Sequence, residues 1–305
     1  MSLESAGDFL GFLDSSTSPW HAVAKLADDL SVAGFRAVGI ADSNWPSEEG
    51  GKYFVQRGGA LVAWILPTRE LGHLALGLAH TDSPCLRIKP NAETQSCGCR
   101  KLAVETYGGL LNHTWLDREL EISGRICWDD DGWIREELVR PDGIRPIVPS
   151  LAIHLDRTVN ERGLVVDRER HFPLLAGLDD SPSLRDRLAE AAGVSAGRIL
   201  SWDLCLSDAT PASLAGGGDL VVSGRLDNLA SCHAMARALA SISAREDTLV
   251  AVAFLDGEEV GSTWPEGADS SFLPQILERI ALSQGLERAH FLAWIAGGIA
   301  LSADM

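Results

Sequence analysis

Four short stretches of the chain set acids or an imidazole at the end of an apolar run. They are "LAHTD" (78–82), "GRLDN" (224–228), "FLDGEEVGS" (254–262) and "LSADM" (301–305), and they supply His80, Asp82, Asp227, Asp256, Glu258, Glu259 and Asp304. A single acid at a strand end is most often a cap or a solvated turn residue. Several at one sheet edge repel one another, and divalent cations neutralise such a cluster directly. Taken together, these residue types point to a centre for a pair of divalent metal ions.

Within His80-Thr81-Asp82, the acid stands where it could fix the tautomer of a ligating imidazole and raise its basicity. The other reading of the tripeptide is an Asp82 that caps the next turn beside an ordinary buried His80. Adjacent side chains in a turn point different ways, so of Glu258 and Glu259 one can bind metal while the other faces a substrate. The free one would serve as general base toward an attacking water. A two-metal site needs a carboxylate shared across roughly 3.5 to 4 Å, and Asp227 is the choice for that bridge.

Such groups meet in an α/β sheet because the loops at the carboxyl ends of its strands open on one crevice. "GALVAWILP" and "LGHLALGLAHTD" read as short, nearly continuous apolar strands, and "TLVAVAFLDGEEVGS" as a buried strand ending in acids. "SPWHAVAKLADDLSVAGF" has helical spacing after a Ser-Pro start and ends at Gly34, while "GDLVVSGRLDNLASCHAMARALASIS" gives strand, loop and helix in quick order. From about Arg87 to Ala215 the texture changes to strand-like "LEISGRICW" and "EELVR", a Pro-rich "RPIVPSLAIHLDR" and a polar "LDDSPSLRDRLAEAAG". The organisation expected is one α/β domain, residues 1–90 and 216–305, interrupted by a β-rich domain, residues 91–215.

The chain has 305 residues, 46% of them hydrophobic, enough for a large core and for two domains. A net charge of -17 argues against a nucleic acid partner, whose phosphates would repel it. The six cysteines form no CxxC pair and no regular framework, which fits a reducing compartment, and Cys97-Gly98-Cys99 is assigned no chemistry. The first residues lack a basic start, a long apolar segment and a small-residue cleavage site, and no apolar stretch approaches the roughly 20 residues of a membrane span. A cytoplasmic location, away from membranes, is therefore expected.

Read together, "SPWHAV", "AHTDSPCLRIKP", "VETYGGLLNHTWLDRELEISGRI", "RPIVPSLAIHLDR", "GRLDNLASC", "FLDGEEVGSTWPEGADSSFL" and "LSADM" resemble the M18 family of metallo-aminopeptidases, the aspartyl aminopeptidases. The resemblance implies a zinc-peptidase-like α/β/α domain with an inserted β-rich dimerisation and assembly domain. It implies homo-oligomers built from dimers, commonly dodecamers, and zinc-dependent release of an N-terminal residue, Asp or Glu, from peptides. By motif position His80 and Asp304 would bind one zinc ion, Glu259 the other and Asp227 both; Glu258 would be the general base, and Asp82 would orient His80.

His154, on its own a histidine in an apolar strand, is similar to a family residue that reaches a neighbouring subunit's active site. There it helps bind the substrate carbonyl and stabilise the oxyanion; some descriptions of the family make it a metal ligand. Family members continue beyond the "SADM" pattern and carry a further metal-binding histidine there, so a catalytic domain shortened at its C-terminus is expected. Two rival readings are a non-catalytic remnant or assembly subunit of the family, and a dinuclear hydrolase of another amide, such as an N-acyl amino acid.

Overall fold

The computed structural model describes residues 3–305. The first unit begins with helices α1 (Leu3–Ser15) and α2 (Pro19–Val32) and strands β1 (Arg36–Ala37), β2 (Lys52–Arg57), β3 (Ala60–Ile65) and β4 (His73–His80). A second unit, Pro84–Gly224, follows with β5 (Cys85–Ser96), β6 (Cys99–Tyr107), β7 (Leu120–Asp130), β8 (Trp133–Val139), the single turns α3 (Val159–Arg162) and α4 (Arg168–His171), β9 (Leu174–Leu178), α5 (Leu184–Ala192), β10 (Ile199–Asp208), β11 (Ser213–Ala215) and β12 (Leu220–Val222). From Arg225 the chain returns to the first unit with α6 (Leu226–Ser241), β13 (Thr248–Leu255), α7 (Phe272–Ser283), α8 (Arg288–Ala296) and β14 (Ile299–Ser302).

Local signals set the ends of α2. The Ser18 hydroxyl accepts from the His21 N–H at 3.4 Å, Pro19 takes the first helical position, and Gly34 follows the cap at φ +87°. The sheet of the first unit has the order β1-β2-β3-β13-β4-β14. All six residues of β3 are buried, as a strand covered on both faces requires. Alternation divides them: Ala60, Val62 and Trp64 pack with Leu249, Ala251 and Ala253 against Phe272 and Ile276 of α7 and Trp294 of α8. The intervening Leu61, Ala63 and Ile65 are equally buried and face the other layer, where α2 packs on β2 and β3, and α6 on β4 and β13. The result is an α/β/α sandwich.

The second unit carries an antiparallel sheet of order β8-β7-β10-β5-β6-β9 over a core of Leu86, Leu102, Ile122 and Leu204, closed by Leu184 and Leu188 of α5. Its limits are 84 and 224, where the sequence suggested 91 and 215. The early limit follows from β5, which pairs with β6 from Cys85 onward and with β10 at Leu86. The late one follows from the β11–β12 hairpin, in which Ser213 faces Val222. The polar "LDDSPSLRDRLAEAAG" holds α5, which starts at a capping box between Ser183 and Asp186.

"RPIVPSLAIHLDR" departs from its expected strand around His154. Pro146 and Pro149 each lack an N–H for a ladder, and only Ile147 and Val148 make isolated bridges. Residues 153–155 form an exposed turn, with the Leu155 N–H donating to the Ala152 carbonyl at 2.8 Å. His154 is thus an exposed turn residue and not a strand residue. Among the described residues no helix is long and apolar enough to cross a membrane.

Candidate metal centre

Strands β4, β13 and β14 run parallel, so their carboxyl ends open on the same edge. Leu255 pairs with His80 and Ser302 with Leu78, which brings Asp304, two residues beyond Ser302, level with His80. Asp227 reaches that edge from the first turn of α6, the helix packed on β4 and β13. His80 Nε2 lies 3.3 Å from Asp227 Oδ1, 3.4 Å from Asp304 Oδ1 and 3.9 Å from Glu258 Oε2. One ligand atom each from His80, Asp227 and Asp304 falls within 4.8 Å of the others, the one such group of acids, histidines or cysteines among the described residues.

The far side of the imidazole fixes its tautomer. His80 Nδ1 is 3.0 Å from the Asp82 carbonyl oxygen and 3.4 Å from Asp82 Oδ1. A carbonyl oxygen can only accept, so Nδ1 carries hydrogen, and Nε2 is the nitrogen that would offer a lone pair to a metal once it gives up its proton. Asp82 itself is fully buried, and its two carboxylate oxygens accept the N–H groups of Glu258 at 3.2 Å and Glu259 at 3.1 Å. The Asp82 carboxylate lies against the imidazole, and the turn it holds is the glutamate turn far along the chain rather than the next one in sequence.

That turn depends on two glycines. Asp256 is buried, its Oδ1 accepts the Gly257 N–H at 2.8 Å, and a Cβ on Gly59 would lie 2.2 Å from its Oδ2. Gly257 has φ +80°, and a Cβ there would lie 2.9 Å from Trp264 Cγ. Of the three acids in "FLDGEEVGS", Asp256 therefore faces inward and shapes the turn. Glu258 and Glu259 follow in one 3-10 turn, Glu258–Val260; Glu258 is the more exposed and approaches His80, while Glu259 is half-buried and stands outside the three-residue group. His154 belongs to the second unit.

Electrostatics show what the cluster lacks. Burial by itself would make His80 less basic, but the hydrogen bond and charge of Asp82, with Glu258, outweigh it and push the pKa up to about 9. Burial raises Asp227 as well, reinforced by the like charge of Asp304 and opposed by His80. Glu259 is pushed up to about 7, by burial first and then by the charge of Asp82. Carboxyl groups held above their ordinary range are calling for positive charge. One imidazole nitrogen with carboxylate oxygens is a donor set that zinc accepts, so these residues fit the metal.

The shifts of Glu259 and His80 act on metal-free stability with one sign. Folded Glu259 keeps a proton from its ordinary 4.5 up to about 7, and folded His80 from 6.5 up to about 9, where the unfolded chain has released them. The folded state binds more protons, so stability falls as pH rises through both windows. In a chelator, the melting temperature should decline between pH 4.5 and about 9, and His80→Ala should flatten the part above 6.5. A melting temperature that rose across that range would contradict the shifts.

Several supports were not legible as site residues. The Cys232 thiol donates to the His80 carbonyl at 3.0 Å, the Thr81 hydroxyl to the Gly59 carbonyl at 2.6 Å, and the Ser83 hydroxyl to the Asp227 carbonyl at 2.8 Å. Each holds a backbone carbonyl, and a carbonyl is present at every residue, so no residue type marks the partner. Proximity of Ser83 to Asp82 and of Cys232 to Asp227 was the one available hint.

The family model for "Aminopeptidase I zinc metalloprotease (M18)" matches residues 12–305. A curated relative, "Probable M18 family aminopeptidase 2" of Streptomyces coelicolor, is 42% identical over 308 residues, covering 97% of this chain and 70% of the relative. Among solved structures, mApe1 of Chaetomium thermophilum is 27% identical with a TM-score of 0.91, over 99% of this chain and 74% of that one. The S. cerevisiae mApe1 dodecamer is 26% identical with a TM-score of 0.84, over 99% and 72%. Sequence and fold agree with the acid-and-imidazole edge built by β4, α6, β13 and β14, and the chain belongs to the M18 family of zinc metallo-aminopeptidases.

Proposed function

We propose that the protein releases the N-terminal residue, Asp or Glu, from peptides, using two zinc ions at the edge where His80 meets the acids. The observation that carries this reading is the convergence of Asp227, Asp304 and Glu258 within 3.3 to 3.9 Å of His80 Nε2, in a chain of the M18 family. His80 and Asp304 would hold one ion, Glu259 the other, and Asp227 would bridge them. When bound, zinc supplies Lewis acidity at the scissile carbonyl and makes a nearby water easier to deprotonate. Glu258, half-exposed beside the cluster, takes the proton of the attacking water and returns it to the leaving amine. Asp82 keeps the Nδ1 hydrogen of His80 in place and the glutamate turn fixed.

The exposed His154 turn suits a role outside its own subunit, toward the substrate carbonyl of a neighbour. The second unit would supply the surfaces for a dimer-based homo-oligomer, as large as the dodecamer of its S. cerevisiae relative. Six free cysteines suit a reducing, cytoplasmic setting.

A panel of peptides and acylated amino acids tests the substrate class. Zinc-loaded protein should release Asp and Glu at least about tenfold faster than Leu or Lys, a difference of about 1.4 kcal/mol in barrier, and should leave N-acyl amino acids intact. Chelation should stop release and added zinc restore it. Cleavage of the N-acyl compounds in place of free-amine peptides would move the protein to another class of amide hydrolase.

A further inference from the structure

Asn228 follows Asp227 and is fully buried. Its Nδ2 donates to the Ala303 carbonyl at 2.8 Å, and the Ala303 N–H donates to the Leu78 carbonyl at 2.9 Å. The residue after one carboxylate thus grips the residue before the other, and the gripped residue is tied in turn to β4, two positions before His80. The Ser83 hydroxyl also donates to the Asp227 carbonyl, at 2.8 Å. Asp227 and Asp304 are exposed acids on separate elements.

The remaining amide atom makes the choice of residue informative. Asn228 Oδ1 is buried with no hydrogen-bond partner among the described residues. An unsatisfied buried acceptor is unfavourable, and an apolar side chain of the same size would avoid it. What the amide adds is direction: one N–H aimed at one carbonyl. Preorganised ligands bind a metal more tightly than ligands that must be collected.

We infer that Asn228 is a positioning residue that sets the spacing of the Asp227 and Asp304 carboxylates before zinc arrives. The inference rests on the metal-centre reading of His80, Asp227 and Asp304. Loss of the Nδ2 bond should leave all three ligands present and the fold intact while the Asp304 loop samples positions out of reach.

The test measures zinc affinity of the 305-residue chain by competition with a chromophoric chelator, alongside melting in chelator, for wild type, Asn228→Leu, Asn228→Asp and His80→Ala. Asn228→Leu should keep or raise the metal-free melting temperature, because it removes the unsatisfied acceptor, yet weaken zinc binding roughly 10 to 100-fold. A merely structural asparagine would move both quantities together. Asn228→Asp keeps the shape but, ionised, offers no hydrogen to the Ala303 carbonyl; it should lose zinc affinity in the same range, and it serves where the leucine variant fails to fold. Wild-type affinity in a folded Asn228 variant, with affinity lost in His80→Ala, overturns the inference and leaves the metal centre standing. Wild-type affinity in His80→Ala as well overturns the metal centre itself.

Discussion

Glu258→Gln is expected to keep its zinc and to lose turnover by roughly 10²- to 10⁴-fold, the range that a positioned general base contributes. The amide preserves the volume and planarity of the carboxylate but takes no proton from water. The backbone N–H that places the residue, bonded to Asp82 at 3.2 Å, is untouched by the change. Glu258 Oε2 is also 3.9 Å from His80 Nε2, close enough that a ligand role has to be tested alongside the basic one. Metal analysis separates them. Retained zinc with lost turnover assigns the base, whereas zinc lost from Glu258→Gln and kept by Glu259→Gln would mean that the two glutamates have exchanged roles. The KM should change less than kcat, since removing a transition-state interaction lowers kcat and kcat/KM together.

Asp227→Ala is expected to strip metal more completely than any other single substitution in the cluster, weakening zinc by about 100-fold or more. In the proposed site Asp227 would serve both ions, whereas Glu259 and Asp304 would each serve one. Its carboxyl is held above the ordinary range by burial and by Asp304, so removing it from the metal-free protein relieves repulsion. The variant should therefore fold at least as well as wild type when no metal is present, which separates loss of ligand from loss of fold. Glu259→Ala should retain the ion that His80, Asp227 and Asp304 are proposed to hold. Equal zinc content in the Asp227→Ala and Glu259→Ala proteins would remove the reason for calling Asp227 the bridge.

The sequence by itself determined which groups could bind metal and that strands had to carry most of them; Asp227, read as following a strand, comes instead from the first turn of α6. Acids and imidazole are chemically distinctive, and runs such as "LGHLALGLAH" and "TLVAVAFL" are too apolar to lie anywhere but in a covered sheet. The family resemblance was legible for the same reason, because the chemistry restricts residue types at these strand ends. Tertiary structure alone decided the rest. That Leu255 stands opposite His80 and Ser302 opposite Leu78 is a matter of parallel pairing between segments far apart in the chain, and this register brings Asp304 to His80.

The tautomer of His80 follows from a carbonyl, and the supports from Cys232, Ser83 and Asn228 span 152, 144 and 75 residues to reach carbonyls. The His154 segment shows the converse: its apolar residues read as a strand, but two prolines and the lack of a continuous partner left it an exposed turn. Side-chain chemistry is written residue by residue and can be read in order. Hydrogen bonds to the backbone use a group common to every residue, so only the folded chain specifies which carbonyl is held.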